Sequence, residues 1–168
     1  MISLVSTVFN DRAGAELFFR RMAAQTHPPD EIVIVDSFSR DGTWDVLAGE
    51  LARTDRPWRL VTWQERCNVA RGRNLAIARA AGPLIASTYL GCDWDLEWLE
   101  ELTAPLFARP EIGVVIGSWE IPEAWVKSDW AKAEYAFLPS HKLEAKPESQ
   151  GTSRSIAYRK SVWERDVP

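Results

Sequence analysis

One short stretch, Glu31-Ile-Val-Ile-Val-Asp-Ser-Phe-Ser-Arg-Asp-Gly-Thr43, restricts the folds open to this chain more than any other. Ile32 to Val35 is an unbroken apolar, β-branched run, the pattern of a strand covered on both faces. Asp36 stops it at once, and a polar stretch leads into a segment that puts Trp44, Leu47, Ala48 and Leu51 on one helical face. Ser39 and Asp41 are both placed to cap that helix by accepting from its free N–H groups. A carboxylate at the carboxyl end of a buried parallel strand, beside a helix N-terminus, faces the crevice where open α/β sheets bind ligands. A plain capped turn would use the same residues, so this stretch by itself leaves both readings open.

The segments around it repeat the pattern. Ile2 to Phe9 reads as a first strand, with Asn10-Asp11 as the turn after it. Ala13 to Gln25 reads as a helix burying Leu17, Phe18 and Met22, ended by His27-Pro28-Pro29. A third strand is expected over 58–63. Asn68 to Ala81 follows as an Ala-rich helix in which Gly72, Ala76 and Ala80 allow close packing on a sheet. Gly82-Pro83 stops it, Leu84 to Thr88 reads as strand four, Trp98 to Ala108 as a helix, and Ile112 to Gly117 as strand five. This strand–helix alternation predicts an α/β fold: a Rossmann-like, mostly parallel sheet with right-handed crossovers and helices on both faces. The tail is less regular. Helical character is expected over 122–139, a polar loop over 141–151, a returning strand over 153–158 and the start of a helix over 160–165.

A chain of 168 residues is expected to form a single domain. Its net charge of −4, with 26% charged residues, carries no basic footprint for nucleic acid. Cys67 and Cys92 are too few and too far apart for a zinc site or a disulfide framework, which points to free thiols in a reducing compartment. The apolar start from Ile2 to Phe9 is too short for a signal peptide or a transmembrane segment and lacks a basic start, so the expected location is cytoplasmic. Nine tryptophans are expected to serve mostly as core or groove walls.

Several motifs then fall into one order: Ser6-Thr-Val-Phe-Asn10, Gln25-Thr26, Glu31 to Asp36 with Ser39-Arg-Asp-Gly-Thr43, Asn68-Val-Ala-Arg-Gly-Arg-Asn74, Gly82 and Asp95-Leu-Glu-Trp-Leu99. Ser153-Arg-Ser-Ile-Ala157 and Ser161-Val-Trp-Glu164 continue it. In this order and spacing the chain resembles the family 2 glycosyltransferases of the GT-A fold. The resemblance implies a nucleotide-sugar donor held at the carboxyl ends of the first strands, and inverting transfer to an unknown glycan, lipid or small-molecule acceptor. Carried over by position, Thr7 and Phe9 flank the base, with Asn10 beside them, and Asp36 and Ser37 lie near base and ribose. Arg66, Arg71 and Asn74, with Arg73, lie before and within the Asn68 helix, whose N-terminus favours an anion such as the diphosphate.

Two departures qualify what the resemblance implies. The family ends strand four with Asp-x-Asp, whose carboxylates hold Mg²⁺ or Mn²⁺ against the diphosphate; here those positions are Tyr89, Leu90 and Gly91. Asp93 and Asp95 spell Asp-x-Asp slightly downstream, either as a displaced metal pair or with Asp95 as the cap of the next helix. The family's general base lies beyond a segment that would follow residue 168, so the chain is expected to be truncated at its C-terminal end. Glu164 and Asp166 are its only late acids. A catalytically silent domain that binds a nucleotide or a partner is therefore the alternative. A nucleotidyltransferase would carry a Gly-rich phosphate loop near its N-terminus, and none is present.

Overall fold

The computed structural model describes residues 1–118, 128–129 and 154–166. Within them, six strands form one sheet: β1 (Ile2–Val8), β2 (Glu31–Asp36), β3 (Arg59–Gln64), β4 (Leu84–Ser87), β5 (Val114–Ile116) and β6 (Ile156–Arg159). Five helices accompany them: α1 (Arg12–Ala23), α2 (Thr43–Leu51), α3 (Val69–Arg79), α4 (Trp98–Ala108) and α5 (Lys160–Asp166). The strand order is β3-β2-β1-β4-β6-β5. β1 to β4 are parallel, while β6 runs antiparallel between β4 and β5. The expected α/β fold with a mostly parallel sheet is what the chain adopts. Strand five does not lie against strand four, because the returning strand 156–159 is inserted between them. The segments 122–139 and 141–151 lie outside the described residues, apart from 128–129.

Side-chain alternation explains the layering. On β1 and β2, Ile2, Leu4, Val8, Ile32 and Ile34 face one side and Val5, Val33 and Val35 the other, and all are buried. The first set packs with α1, α2 and α4 through Phe18, Met22, Leu47, Leu99 and Leu106. The second meets α3 through Ala76, Ile77 and Ala80. The change of side has a topological cause. The chain steps from β1 outward to β3, then crosses back to β4 on the far side of β1, and a right-handed crossover in the reverse direction puts its helix on the opposite face. Strand order therefore switches between β1 and β4, and open α/β sheets form their ligand crevice at such a switch, at the carboxyl ends of the strands.

Small residues set how closely α3 approaches. A Cβ on Gly72 would lie 2.6 Å from Thr7 Cγ2 and 2.9 Å from Cys67 Sγ, so the first turn of α3 rests directly on the end of β1. At the opposite end, Glu31 is fully buried and accepts from Ser3 Oγ (2.6 Å) and Ala81 N (2.8 Å) while pairing with Arg59 (3.0 Å). That network ties the turn after α3 to the amino ends of three strands. Of the tryptophans, Trp58 and Trp94 are core, while Trp44, Trp63, Trp98 and Trp163 pack against its edges.

Candidate donor-binding site

A cavity of about 700 Å³ opens at the carboxyl ends of β1 and β4, where the strand order switches. Its walls come from four places: Thr7 to Phe9 with Asp11, Ser37, the Cys67–Val69 start of α3, and Tyr89 to Cys92. Arg154, just before β6, closes one side.

Hydrogen bonds between loops hold these walls. The Ser37 hydroxyl donates to Cys67 O (2.8 Å) and accepts from Cys67 N (3.2 Å), joining the loop after β2 to the start of α3. Asn68 caps α3 by accepting from Arg71 N at 2.9 Å. Asn10 N donates to Ser39 Oγ (2.8 Å), Asn10 Oδ1 accepts from Arg40 N (2.8 Å), and Asp11 N donates to Thr43 Oγ1 (2.9 Å), which stitches the first two loops together. Both loops carry a non-glycine residue at positive φ, Asn10 at 52° and Phe38 at 59°, a conformation that costs Phe38 more than Asn10. Ser6 Oγ donates to Thr88 O, and Thr88 Oγ1 donates to Arg154 O, both at 2.8 Å.

Of the residues singled out from the sequence, Thr7, Phe9 and Ser37 line the cavity together. Phe9 presents its ring to solvent, 61% exposed. Asp36 does not reach the lining. It is completely buried, accepting from Ser39 N, Ser39 Oγ and Gln64 Nε2 (2.7 Å), so it braces the loop that positions Ser37. Ser39 is thus engaged with Asp36 and does not cap α2, whose N-cap is Gly42 at φ 91°. Asp41 accepts from Thr43 N (3.0 Å), and the Thr43 hydroxyl beside it holds its carboxyl below the usual carboxylate range. Asn10 lies outside the lining, in the loop stitching. Arg71 also stays outside, paired with Glu65 at 3.1 Å, and Arg66 and Asn74 are exposed beyond it, with Asn74 accepting from Trp163 Nε1.

The downstream acids are likewise off the cavity. Asp93 is exposed and ion-paired with Arg21 at 2.8 Å. Asp95 does not cap α4 with its side chain; its carbonyl accepts from Trp98 N (3.1 Å) and from Gln25 Nε2 (2.7 Å), while Gln25 Oε1 takes Leu99 N at 3.0 Å. The start of α4 is therefore held by a glutamine from the end of α1. A hard divalent ion wants several carboxylate or carbonyl oxygens. The cavity lining holds one carboxylate among the described residues, Asp11, and its Oδ1 already accepts from Gly14 N at 3.0 Å as the cap of α1. Tyr89, Leu90 and Gly91 supply none, and no group of three His, Cys, Asp or Glu side chains among the described residues could hold a metal. The described residues do not fit the ion that the resemblance implies.

Sequence reading missed Asp11, both cysteines and Arg154 as cavity residues. Asp11 carried a signal, since an Asp directly before a helical segment and after a strand marks an N-cap at a strand end. The cysteines carried none. Burial pushes the Cys67 thiol up, opposed by its hydrogen bond with Ser37.

The sequence model of the family described as Glycosyl transferase family 2 matches residues 3–164. The chain belongs to that family. TuaG of Bacillus subtilis (strain 168), which carries the name of a teichuronic acid biosynthesis glycosyltransferase, is 31% identical over 101 residues, covering 60% of this chain and 40% of TuaG. Among solved structures, the mannosyltransferase PcManGT from Pyrobaculum calidifontis, in complex with GDP-Man and Mn²⁺, superposes with a TM-score of 0.71 at 21% identity, over 98% of this chain and 46% of its own. TarS 1-349 of S. aureus, in complex with UDP-GlcNAc, gives 0.67 at 16% identity, over 98% of this chain and 47% of its own. These likenesses establish the GT-A fold. The chain spans less than half the length of each of these three relatives. No described helix is long and apolar enough to cross a membrane.

Proposed function

We propose that this family 2 chain forms the donor-binding part of a glycosyltransferase that takes a nucleoside-diphosphate sugar and transfers the sugar, with inversion, to a glycan, lipid or small-molecule acceptor. The observation that carries this reading is the cavity at the β1/β4 switch point, walled by Thr7, Phe9, Ser37 and the capped start of α3. Its parts suit the parts of such a donor. Phe9 offers a base an exposed aromatic face, Thr7 a hydroxyl, Ser37 only its one remaining acceptor site because its proton goes to Cys67 O, and the amide groups of the α3 N-terminus favour a phosphate. PcManGT with GDP-Man and TarS with UDP-GlcNAc, which share this fold, support a nucleotide sugar as the ligand class.

A second reading, a domain that binds the nucleotide without transferring, is favoured by one specific observation. The cavity's only described carboxylate, Asp11, is a helix cap, while Glu164 is exposed on α5 and Asp166 pairs with Arg165. Inverting transfer needs a base for the acceptor hydroxyl. One experiment separates the readings. Calorimetry with UDP and GDP, and release of labelled sugar from UDP-GlcNAc and GDP-Man with mixed acceptors, are run on the same preparation. Binding with transfer supports the first reading, binding alone the second, and absence of binding rejects both. Phe9→Ala is expected to weaken the bound nucleotide about ten-fold if the ring stacks on the base.

A further inference from the structure

We propose that Arg154 provides the positive charge that meets the donor diphosphate over the carboxyl end of β4, so that nucleotide binding by this chain does not depend on a divalent metal ion. This rests on reading the cavity as a nucleoside-diphosphate site. It goes beyond that reading by naming what neutralises the phosphates.

Arg154 is placed there by the antiparallel return of the chain. β6 pairs with β4 in the register Ser87↔Ile156, so the residues just before β6 lie beside the residues just after β4. Arg154 O accepts from Thr88 Oγ1 at 2.8 Å, and that hydroxyl in turn accepts from the buried Trp94 Nε1 at 3.0 Å. The next residue is fixed as well, with Ser155 Oγ accepting from Trp98 Nε1 (2.9 Å) and Ser155 O from Gly117 N (2.9 Å). The main chain at Arg154 is thus held against the end of β4, while Arg154 itself is exposed and contributes to the cavity wall next to Tyr89, Leu90 and Gly91.

The surrounding charge agrees. Those three β4-end residues bring no carboxylate to the wall, and the one that is present, Asp11, caps α1. A second cation sits behind the same wall: the Arg73 guanidinium lies 5.1 Å from the centre of the Tyr89 ring, and its buried Nε and Nη2 have no hydrogen-bond partner among the described residues. Two guanidinium groups thus stand at this strand end against the single described, helix-capping carboxylate of Asp11, an arrangement that suits an anion better than a further cation. A guanidinium presents paired N–H donors that match two phosphate oxygens, as a point charge does not. The cations at this strand end are the protein's own.

Calorimetric titration with UDP, GDP, uridine and guanosine, each in EDTA and in Mn²⁺, tests this on the wild-type chain and on Arg154→Gln and Arg154→Lys. Diphosphate affinity is expected to agree within about two-fold between EDTA and Mn²⁺, and to fall about ten-fold or more in Arg154→Gln. Arg154→Lys should recover part of the loss, and nucleoside affinity should not move in either variant. Mn²⁺ raising wild-type affinity about ten-fold or more, or Arg154→Gln binding UDP as the wild type does, would overturn the inference while leaving the nucleotide reading intact. Failure of a folded wild-type chain to bind either nucleotide in both buffers would remove that reading, and this inference with it.

Discussion

At Asp36 a buried carboxylate meets Ser39 N, Ser39 Oγ and Gln64 Nε2, which satisfies most of its acceptor capacity without a ligand. Removing it leaves those donors unpaired in a closed space. Asp36→Ala is therefore expected to lower stability by about 2–3 kcal/mol, read from urea unfolding. Ser39→Ala, which removes one of the donors, should weaken nucleotide binding to a similar extent if Asp36 acts by bracing Ser37. Loss of binding in Asp36→Ala with unchanged stability would show instead that the carboxylate touches the ligand. A second residue-scale effect lies at Tyr158, on β6. Burial disfavours its phenolate and pushes the phenol up to about 12, against an ordinary 10.0, with Arg73 pulling the other way. Below pH about 10 the proton is bound in both folded and unfolded chains, so the full stability is present. As pH rises toward 12 the unfolded chain loses its proton first, and stability falls by about 2–3 kcal/mol. Tyr158→Phe should flatten that alkaline limb in denaturation curves taken from pH 9 to 12; parallel curves for both proteins would count against the burial argument.

Among elements, the ones legible in the sequence were those whose cause is local. The apolar run of β2, the small-residue face of α3 and the Trp98–Ala108 helix follow from periodicity, and they lie within a residue or two of where they were expected. What the sequence hid depends on partners distant in the chain. β6 sits between β4 and β5 because of pairings over some seventy and forty residues, and no local pattern encodes that order. Asp36 reads as a ligand residue from its place at the carboxyl end of a buried strand beside a helix N-terminus; that Ser39 and Gln64 would occupy most of its acceptor sites is visible only in three dimensions. The start of α4 gives the same lesson. Asp95 has the right residue type for a cap, yet Gln25 takes the amide. Gln25→Leu, close in volume but unable to accept from Leu99 N, is expected to cost about 1–2 kcal/mol in thermal unfolding. Asp95→Ala should cost much less, because its carbonyl is the part in use. A larger loss in Asp95→Ala would reverse the assignment.

The whole sheet is graded from a sealed centre to a thin edge, and the cavity spans that gradient. β1 and β2 are buried along nearly their full length, whereas β5 has three residues, pairs among the described residues with β6 alone and leaves Val114 and Ile116 exposed. Backbone amides in β1 and β2 should therefore exchange with deuterium only through global unfolding, and those of β5 through local opening at much lower cost. β6 stands between the two regimes: it borders β4, yet it holds β5 and begins at Arg154. A ligand that binds the folded cavity opposes every opening that destroys its site, by an amount that grows with the logarithm of its free concentration over Kd. Saturating UDP should thus slow exchange selectively at Thr88, Ser155 and Ile156, with smaller changes in β5, while β1 and β2 shift only with global stability. Protection confined to the Thr7–Asp11 side would mean that the nucleotide stops short of β6. Uniform slowing at every amide would show that the edge does not open on its own, and that the sheet behaves as one cooperative unit out to β5.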